Sequence, residues 1–234
     1  MKTGPLSKTT PAELQQLAAF RNVPEEHLSQ LCGLLGRKHF PASAPLMMAE
    51  QTGEVVYFIL DGTVKIHLEQ ADGSEVIISI LGRGEIVGEM SALGIASRSA
   101  SVLTLETSTL LWCDRATFQR CLMTMPMLAY NLAGILARRL RHANEKIQAL
   151  ATQSVEARVA RQVLLFAEQY GQPQTNGDIH IPLRLTQSDL AAMTGCSREH
   201  VNKVIVSYKE RGYLSVDRHF HLTVHNLAAL ERRA

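Results

Sequence analysis

The sequence predicts an α+β protein: a β-rich amino-terminal domain, one long helix, and a carboxyl-terminal winged helix-turn-helix. Three observations carry this. Val64, Ile66 and Leu68 alternate with Lys65, His67 and Glu69, the period of a half-buried strand. Leu132, Leu136, Leu140, Ala143, Ile147 and Leu150 recur every three or four residues, one apolar stripe down a helix of about 25 residues. Finally, "LTQSDLAAMTGCSREHVNKVIVSYKERGY" sets a glycine-containing turn between two helical segments, ahead of the strand-like "YLSV" and "FHLTV".

A chain of 234 residues, 46% hydrophobic and 20% charged, has room for two modest globular domains. The boundaries read from the pattern are residues 1–125, 126–152 and 153–234. No run of ~18 apolar residues occurs, and "MKTGPLSKTTPAE" lacks the apolar core of a signal peptide, so a cytoplasmic protein that does not enter membranes is expected. Cys32, Cys113, Cys121 and Cys196 show no CxxC spacing, which argues for reduced, partly buried thiols rather than a zinc ribbon or iron–sulfur cluster. His219, His221 and His225 could hold a metal, but alternating histidines on an exposed strand explain them more simply, and no metal is expected.

The elements follow in order. Thr10 to Glu13 reads as a capping box with Pro11 at the first helical position, opening a helix that carries Leu14, Leu17 and Phe20. A second short helix follows Pro24. Strands run from Val55 to about Cys113. Gly62, Gly73 and Gly84 recur every eleven residues, each after Asp or Arg in a turn-like setting, which suggests a small antiparallel sandwich or barrel. After Pro126 the period becomes helical. A helix of about 25 residues spans ~37 Å and would overhang a small barrel, so a seam between two chains of a homodimer explains the stripe better than intrachain packing. Val155 to Gln169 is helical, "GQPQTNGD" is a loop, and "IHIPLRL" is extended. Thr186 and Asp189 form a capping-box-like start, and Ser197 caps a helix from Arg198 to Arg211 that ends at Gly212.

On a helical wheel that last helix has two faces. Val201, Val204, Ile205 and Tyr208 fall on one arc and are the buried side; Arg198, Glu199, Asn202 and Lys203 fall on the other. The second set carries groups that reach base edges: arginine to guanine, glutamate to the cytosine amino group, asparagine to adenine. They sit in the first turns, where a recognition helix touches the major groove. Thr186, Gln187 and Ser197, at the starts of the two helices, complete the DNA-facing set. A solvated charged face is the competing reading; the preceding glycine turn and following strands favour DNA. Net charge contributes little: residues 153–234 carry ten Lys/Arg against eight Asp/Glu.

One stretch asks for a ligand. "IVGEMSALGIASRSAS", from Ile86 to Ser101, sets a glycine and a carboxylate before small, apolar and hydroxyl residues, then one arginine. Together with the long helix and "GCSREHVNKVI", it resembles the cyclic-AMP receptor protein / fumarate-nitrate regulator (CRP/FNR) family of bacterial transcription regulators, over nearly the whole chain. The resemblance implies a jelly-roll sensor domain that binds a cyclic nucleotide such as cAMP in a cassette of Gly88, Glu89, Met90, Arg98, Ser99 and Ala100. Arg98 would pair with the phosphate, with Ser99 adding a donor; if "EMSAL" forms a helical turn, its amides also face the anion. Gly88 would allow close backbone approach, and Glu89 suits the ribose 2′-hydroxyl. Arg98 is expected to stand open in its pocket and to contribute little to stability. Without the resemblance, Glu89 and Arg98 could be a surface ion pair.

Two departures bear on selectivity. Where the family has a threonine and a serine on the long helix against adenine, this chain has Ala143, which offers no polar group, and Asn144, which keeps a donor and an acceptor. Lys203 stands where a well-known member has a second arginine, a point charge in place of a bidentate fork. The implied protein is a ligand-gated homodimeric activator that binds palindromic double-stranded DNA and engages RNA polymerase. No Ser/His/Asp set, metal triad or P-loop points to an enzyme. The alternatives are a same-family regulator active without ligand or with another effector, and a nucleotide-binding module acting on a protein partner.

Overall fold

The computed structural model describes residues 8–71, 75–94 and 97–234. These residues fall into two compact units, one within Met1–Leu68 and Ile80–Arg141, the other within Glu69–Ser79 and His142–Ala234.

The first unit opens with α1 (Pro11–Gln15), a turn of 3-10 helix (Ala18–Phe20) and α2 (Glu25–Cys32). Strands β1 (Gly36–Phe40), β2 (Pro45–Met47), β3 (Val55–Asp61), β4 (Val64–Glu69), β5 (Glu75–Leu81) and β6 (Ile86–Val87) follow. Then come α3 (Glu89–Ala92), β7 (Ser101–Thr104), β8 (Ser108–Asp114), α4 (Arg115–Thr124) and α5 (Pro126–Thr152), whose residues from His142 onward fall in the second unit. The strands make two four-stranded antiparallel sheets, ordered β1-β8-β3-β6 and β2-β7-β4-β5, a jelly-roll sandwich. One core lies between the sheets: Phe40, Ile59, Val87 and Leu110 from the first meet Met47, Val64, Leu81 and Val102 from the second. A second core covers the other face of the first sheet, where Val56, Phe58, Leu111 and Cys113 pack against Leu14, Leu28, Phe118, Leu128 and Leu132 of the helices. The first sheet therefore contributes buried side chains to both cores, although Lys38, His39 and Trp112 stay exposed.

Several sequence expectations change here. The capping box of Thr10 and Glu13 forms, but α1 ends at Gln15. Leu17 is extended, and Ala18 N–H donates to the Gly84 carbonyl at 3.2 Å, so the chain bends around the sheet edge and reaches Phe20 through a 3-10 turn. Leu14, Leu17 and Phe20 are still all buried. Lys65 and His67 are not solvent-facing: each is 8% exposed, so β4 is shielded on both faces. Gly62 and Gly84 have φ of 91° and 93°, the left-handed turn geometry that favours glycine; Gly73 lies outside the described residues.

Helix α5 spans 27 residues. Leu128, Leu132 and Ile135 are buried in its own unit, whereas Leu140, Ile147 and Leu150 are 64%, 66% and 46% exposed. The upper part of the predicted stripe thus packs within the chain, and only the lower part is left uncovered.

The second unit contains α6 (Val155–Tyr170), β9 (Gln172–Pro173), β10 (Ile179–Ile181), α7 (Gln187–Thr194), α8 (Arg198–Glu210), β11 (Leu214–Val216), β12 (Leu222–Val224) and α9 (Leu227–Glu231). Its antiparallel sheet runs β11-β12-β10-β9, and β11–β12 is the wing. The histidines are not on an exposed strand: His219 and His221 lie in the β11–β12 turn and His225 just after β12. No helix among the described residues is long and apolar enough to cross a membrane.

Candidate functional site

Between β6 and β7 the chain builds a tight cradle around Arg98. Gly88, at φ 87°, caps α3, and a Cβ there would lie 2.7 Å from Arg98 Nη1 and 2.7 Å from the Val55 carbonyl oxygen. Position 88 therefore needs glycine both for its backbone and for the space. The "EMSA" segment forms a single helical turn. Arg98 is fixed by its own backbone: its N–H donates to the Gln51 carbonyl and its carbonyl accepts from Glu50 N–H, both at 2.9 Å.

The Arg98 side chain is buried, at 7% exposure, contrary to the open position expected from sequence. Nη1 donates to the Gly88 carbonyl at 3.0 Å and to Ser91 Oγ at 2.6 Å, and Nη2 donates to the Val55 carbonyl at 2.5 Å. Burial pulls its pKa below arginine's ordinary value, opposed by Tyr57, Glu89 and Glu54. All three acceptors are neutral. Among the described residues no carboxylate forms an ion pair with Arg98, so the cation is solvated by the protein but not neutralised.

Glu89 is 3% exposed and turns away from Arg98 toward α5, where Arg139 Nη1 donates to its Oε1 at 2.8 Å. Arg139 Nη2 donates to Glu85 Oε2 at 2.8 Å and to the Ile86 carbonyl at 2.7 Å. One arginine thus ties the entry to the cassette to the long helix. The surface Glu89–Arg98 pair does not form. Met90 and Ser99 are exposed, with Ser99 Oγ 3.9 Å from Met90 Sδ, and Ala100 is half-buried. Ala143 and Asn144 are exposed on α5 and belong to the second unit, whereas the cassette residues belong to the first. Sequence reasoning missed Ser91 and Arg139. Ser91 sits one helical turn after Gly88 and could have been found by that spacing; Arg139 carried no signal distinguishing it from Arg138 and Arg141.

In the second unit, Thr186 and Asp189 form a reciprocal capping box that starts α7, and Gly195, at φ 63°, ends that helix. Ser197 Oγ accepts from His200 N–H and starts α8. Val201, Ile205 and Tyr208 are buried; Arg198, Glu199, Asn202 and Lys203 are all exposed, on the other side of the helix. Tyr208 Oη donates to the Glu156 carbonyl at 3.1 Å, and burial pushes the phenol up to about 12. Gln187 Nε2 donates to Asn202 Oδ1 at 2.8 Å, linking the two helices across their exposed side. No group of three or more metal-ligating side chains occurs among the described residues.

Comparison with known proteins agrees with both halves. Residues 37–125 match the family described as "Cyclic nucleotide-binding domain", and residues 157–233 match "Crp-like helix-turn-helix domain". The chain is 30% identical over 193 residues to the cyclic AMP receptor protein of Thermus thermophilus, covering 82% of this chain and 86% of that protein. It is 29% identical over 204 residues to a CRP-like cAMP-activated global transcriptional regulator of Mycobacterium tuberculosis, covering 87% of this chain and 91% of that one. In fold it is similar to the c-di-GMP responsive global regulator CLP of Xanthomonas campestris, with a TM-score of 0.69 at 21% identity over 86% of this chain and 98% of that one.

Proposed function

Because this chain belongs to the CRP/FNR family of transcription regulators, we propose that it is a cyclic-nucleotide-gated, sequence-specific DNA-binding regulator with cAMP as its effector. It is a regulator and not an enzyme. The observation that carries the ligand reading is the buried Arg98 guanidinium, held by neutral oxygens alone. A cyclic phosphate brings the missing negative charge and accepts paired, charge-assisted hydrogen bonds. Glu89 keeps its second carboxylate oxygen for a ribose hydroxyl while Arg139 holds the first. Met90, Ser99 and Ala100 line the remaining wall; Ala143 and Asn144, which lie in the second unit, are the residues that the family resemblance sets against the base.

In this reading residues 1–125 sense, 126–152 dimerise and 153–234 bind DNA. The exposed Leu140, Ile147 and Leu150 supply the homodimer seam. Arg198, Glu199, Asn202 and Lys203 read a palindromic duplex in the major groove, and Thr186, Gln187 and Ser197 meet phosphates at the helix starts. RNA polymerase is the partner of such an activator.

A second reading is the same regulator with another effector. Ala143, which offers the base no hydrogen bond, favours it. Calorimetric titration of the chain with cAMP, cyclic GMP and cyclic di-GMP decides between them. Saturable heat with cAMP alone supports the main reading, heat with another nucleotide supports the second, and no heat with any of the three refutes nucleotide gating.

A further inference from the structure

We infer that the wing is a proton-sensitive clamp on the DNA backbone, whose histidines gain charge as the pH falls and so tighten DNA binding. The inference rests on the DNA-binding reading above. It adds a regulatory input separate from the nucleotide.

The β11–β12 turn is unusually dense in imidazole. His219 and His221 have ring centroids 6.1 Å apart, and His180 on β10 lies 5.6 Å from His221 at 88°. The turn itself is rigid. Asp217 Oδ1 accepts from His219 N–H at 2.8 Å and His221 N–H at 2.9 Å, and Phe220 N–H donates to the Asp217 carbonyl at 3.1 Å. Phe220 is held at φ 65°, a left-handed conformation that bulky side chains rarely adopt, with its carbonyl accepting from Leu185 N–H and Arg184 5.1 Å over its ring.

Two contacts make the turn responsive to protons. Arg218 Nε donates to His219 Nε2 at 3.0 Å. A ring nitrogen that accepts carries no proton, so this bond requires neutral His219 and is lost when the imidazole becomes an imidazolium. Protonation therefore adds a charge and releases the adjacent guanidinium. His221 Nδ1 stands 3.2 Å from Asp217 Oδ2. Burial acts to raise the Asp217 carboxyl, but the N–H donors of His221 and His219 and their rings outweigh it and lower it, so the carboxylate stays ionised. With both imidazoles neutral, Asp217 and Arg218 cancel and the turn carries no net charge; with both protonated it carries two positive charges.

The groups facing this cluster from neighbouring elements do not cancel that change. Asp178, before β10, is taken by His225 Nδ1 at 2.7 Å, and His225 Nε2 is 2.9 Å from Ser215 Oγ. His180 Nδ1 is 3.4 Å from Thr223 Oγ1, and its protonation adds charge of the same sign, as does the fixed charge of Arg184. A phosphate set against these rings favours their charged form, so protons are taken up with DNA. Imidazole is the side chain that ordinarily changes charge between about pH 5 and pH 8. The wing packs beside α8, so it meets the phosphate wall of the groove that α8 enters.

The test uses the full chain saturated with cAMP and a labelled palindromic duplex. Affinity is read by fluorescence anisotropy at about pH 6 and about pH 8, at fixed ionic strength. The wild type is expected to bind about tenfold tighter at the lower pH, the effect of one proton taken up over one pH unit. The double variant His219→Gln, His221→Gln should lose most of that gain while its affinity at the higher pH changes less than about twofold. The comparison isolates the wing, since His200 at the start of α8 remains in both proteins. Calorimetry of wild-type DNA binding in two buffers of different ionisation enthalpy counts the protons directly and needs no variant; net uptake is expected. Equal wild-type affinity at both pH values, no proton uptake, or an undiminished pH gain in the double variant overturns the inference while leaving DNA binding intact. A folded, nucleotide-binding chain with no affinity for duplex at either pH overturns the DNA reading itself.

Discussion

Arg98 unites two roles that the sequence could not show together. Its guanidinium is the proposed phosphate ligand, and the same group ties Val55, Gly88 and Ser91 into one cradle. Arg98→Leu should therefore abolish nucleotide heat in calorimetry and also lower the stability of the ligand-free chain by ~1–3 kcal/mol, since buried carbonyls lose their donor. A thermal scan showing no change would mean the three bonds contribute nothing net. Gly88→Ala should destabilise by a similar ~1–3 kcal/mol, because alanine must adopt φ 87° and its methyl group crowds Arg98. The denaturant midpoint reads that loss. Both residues were legible in "VGEMSALGIASRSAS". Ser91 and Arg139 were not, because a hydrophobic period shows which face is buried but not which rim charge reaches a distant carboxylate. Tyr208 gives a pH signature. Its phenol is pushed up to about 12, so the folded unit holds a proton that the unfolded chain releases near pH 10. Stability of the second unit should fall as pH rises from about 10 to about 12, and Tyr208→Phe should flatten that decline in urea titrations.

At the level of elements, α8 illustrates how far a periodicity argument reaches. The wheel placed Val201, Ile205 and Tyr208 on the buried side correctly, while Val204, on the same arc, is only half-buried; nothing on the other face is apolar until Val206. Arg198→Ala is expected to cost ~1–3 kcal/mol on the best operator and to relax preference at one base pair, measured by competition among duplexes differing at that position. Equal loss on random DNA would assign Arg198 to a phosphate. The stripe on α5 was legible as a pattern but not as a partition. Leu132 follows the same spacing as Leu140, yet one is 3% exposed and the other 64%. Only the three-dimensional end of the first unit decides where intrachain packing stops. Leu140→Glu with Ile147→Glu should shift the protein from dimer to monomer in analytical ultracentrifugation while leaving the first core intact. A dimer that persists would move the seam elsewhere.

For the molecule as a whole, the order β-rich domain, long helix, helix-turn-helix domain was legible because each part has its own period: two, then helical, then helix–turn–helix. What stayed hidden was the jelly-roll pairing, since β1 pairs with β8 and β2 with β7 across most of the unit, contacts that no local pattern encodes. Lys65 and His67 misled as well, being buried where the alternation set them toward solvent. If nucleotide and DNA binding are coupled, each must change the other's affinity by the same factor, typically about 5- to 150-fold. Titrating nucleotide with and without saturating duplex at fixed salt tests this; identical affinities would refute gating. The recognition helix has one more consequence. The four side chains proposed to read bases stand in solvent; Asn202 also accepts from Gln187, while the apolar residues that bury the helix lie on the opposite side. Exchanges among polar side chains at such positions ordinarily alter stability by no more than about 0.5 kcal/mol. If these four side chains read DNA, operator preference can drift without endangering the scaffold, so a duplicated copy can acquire new targets one substitution at a time while its fold stays that of its parent.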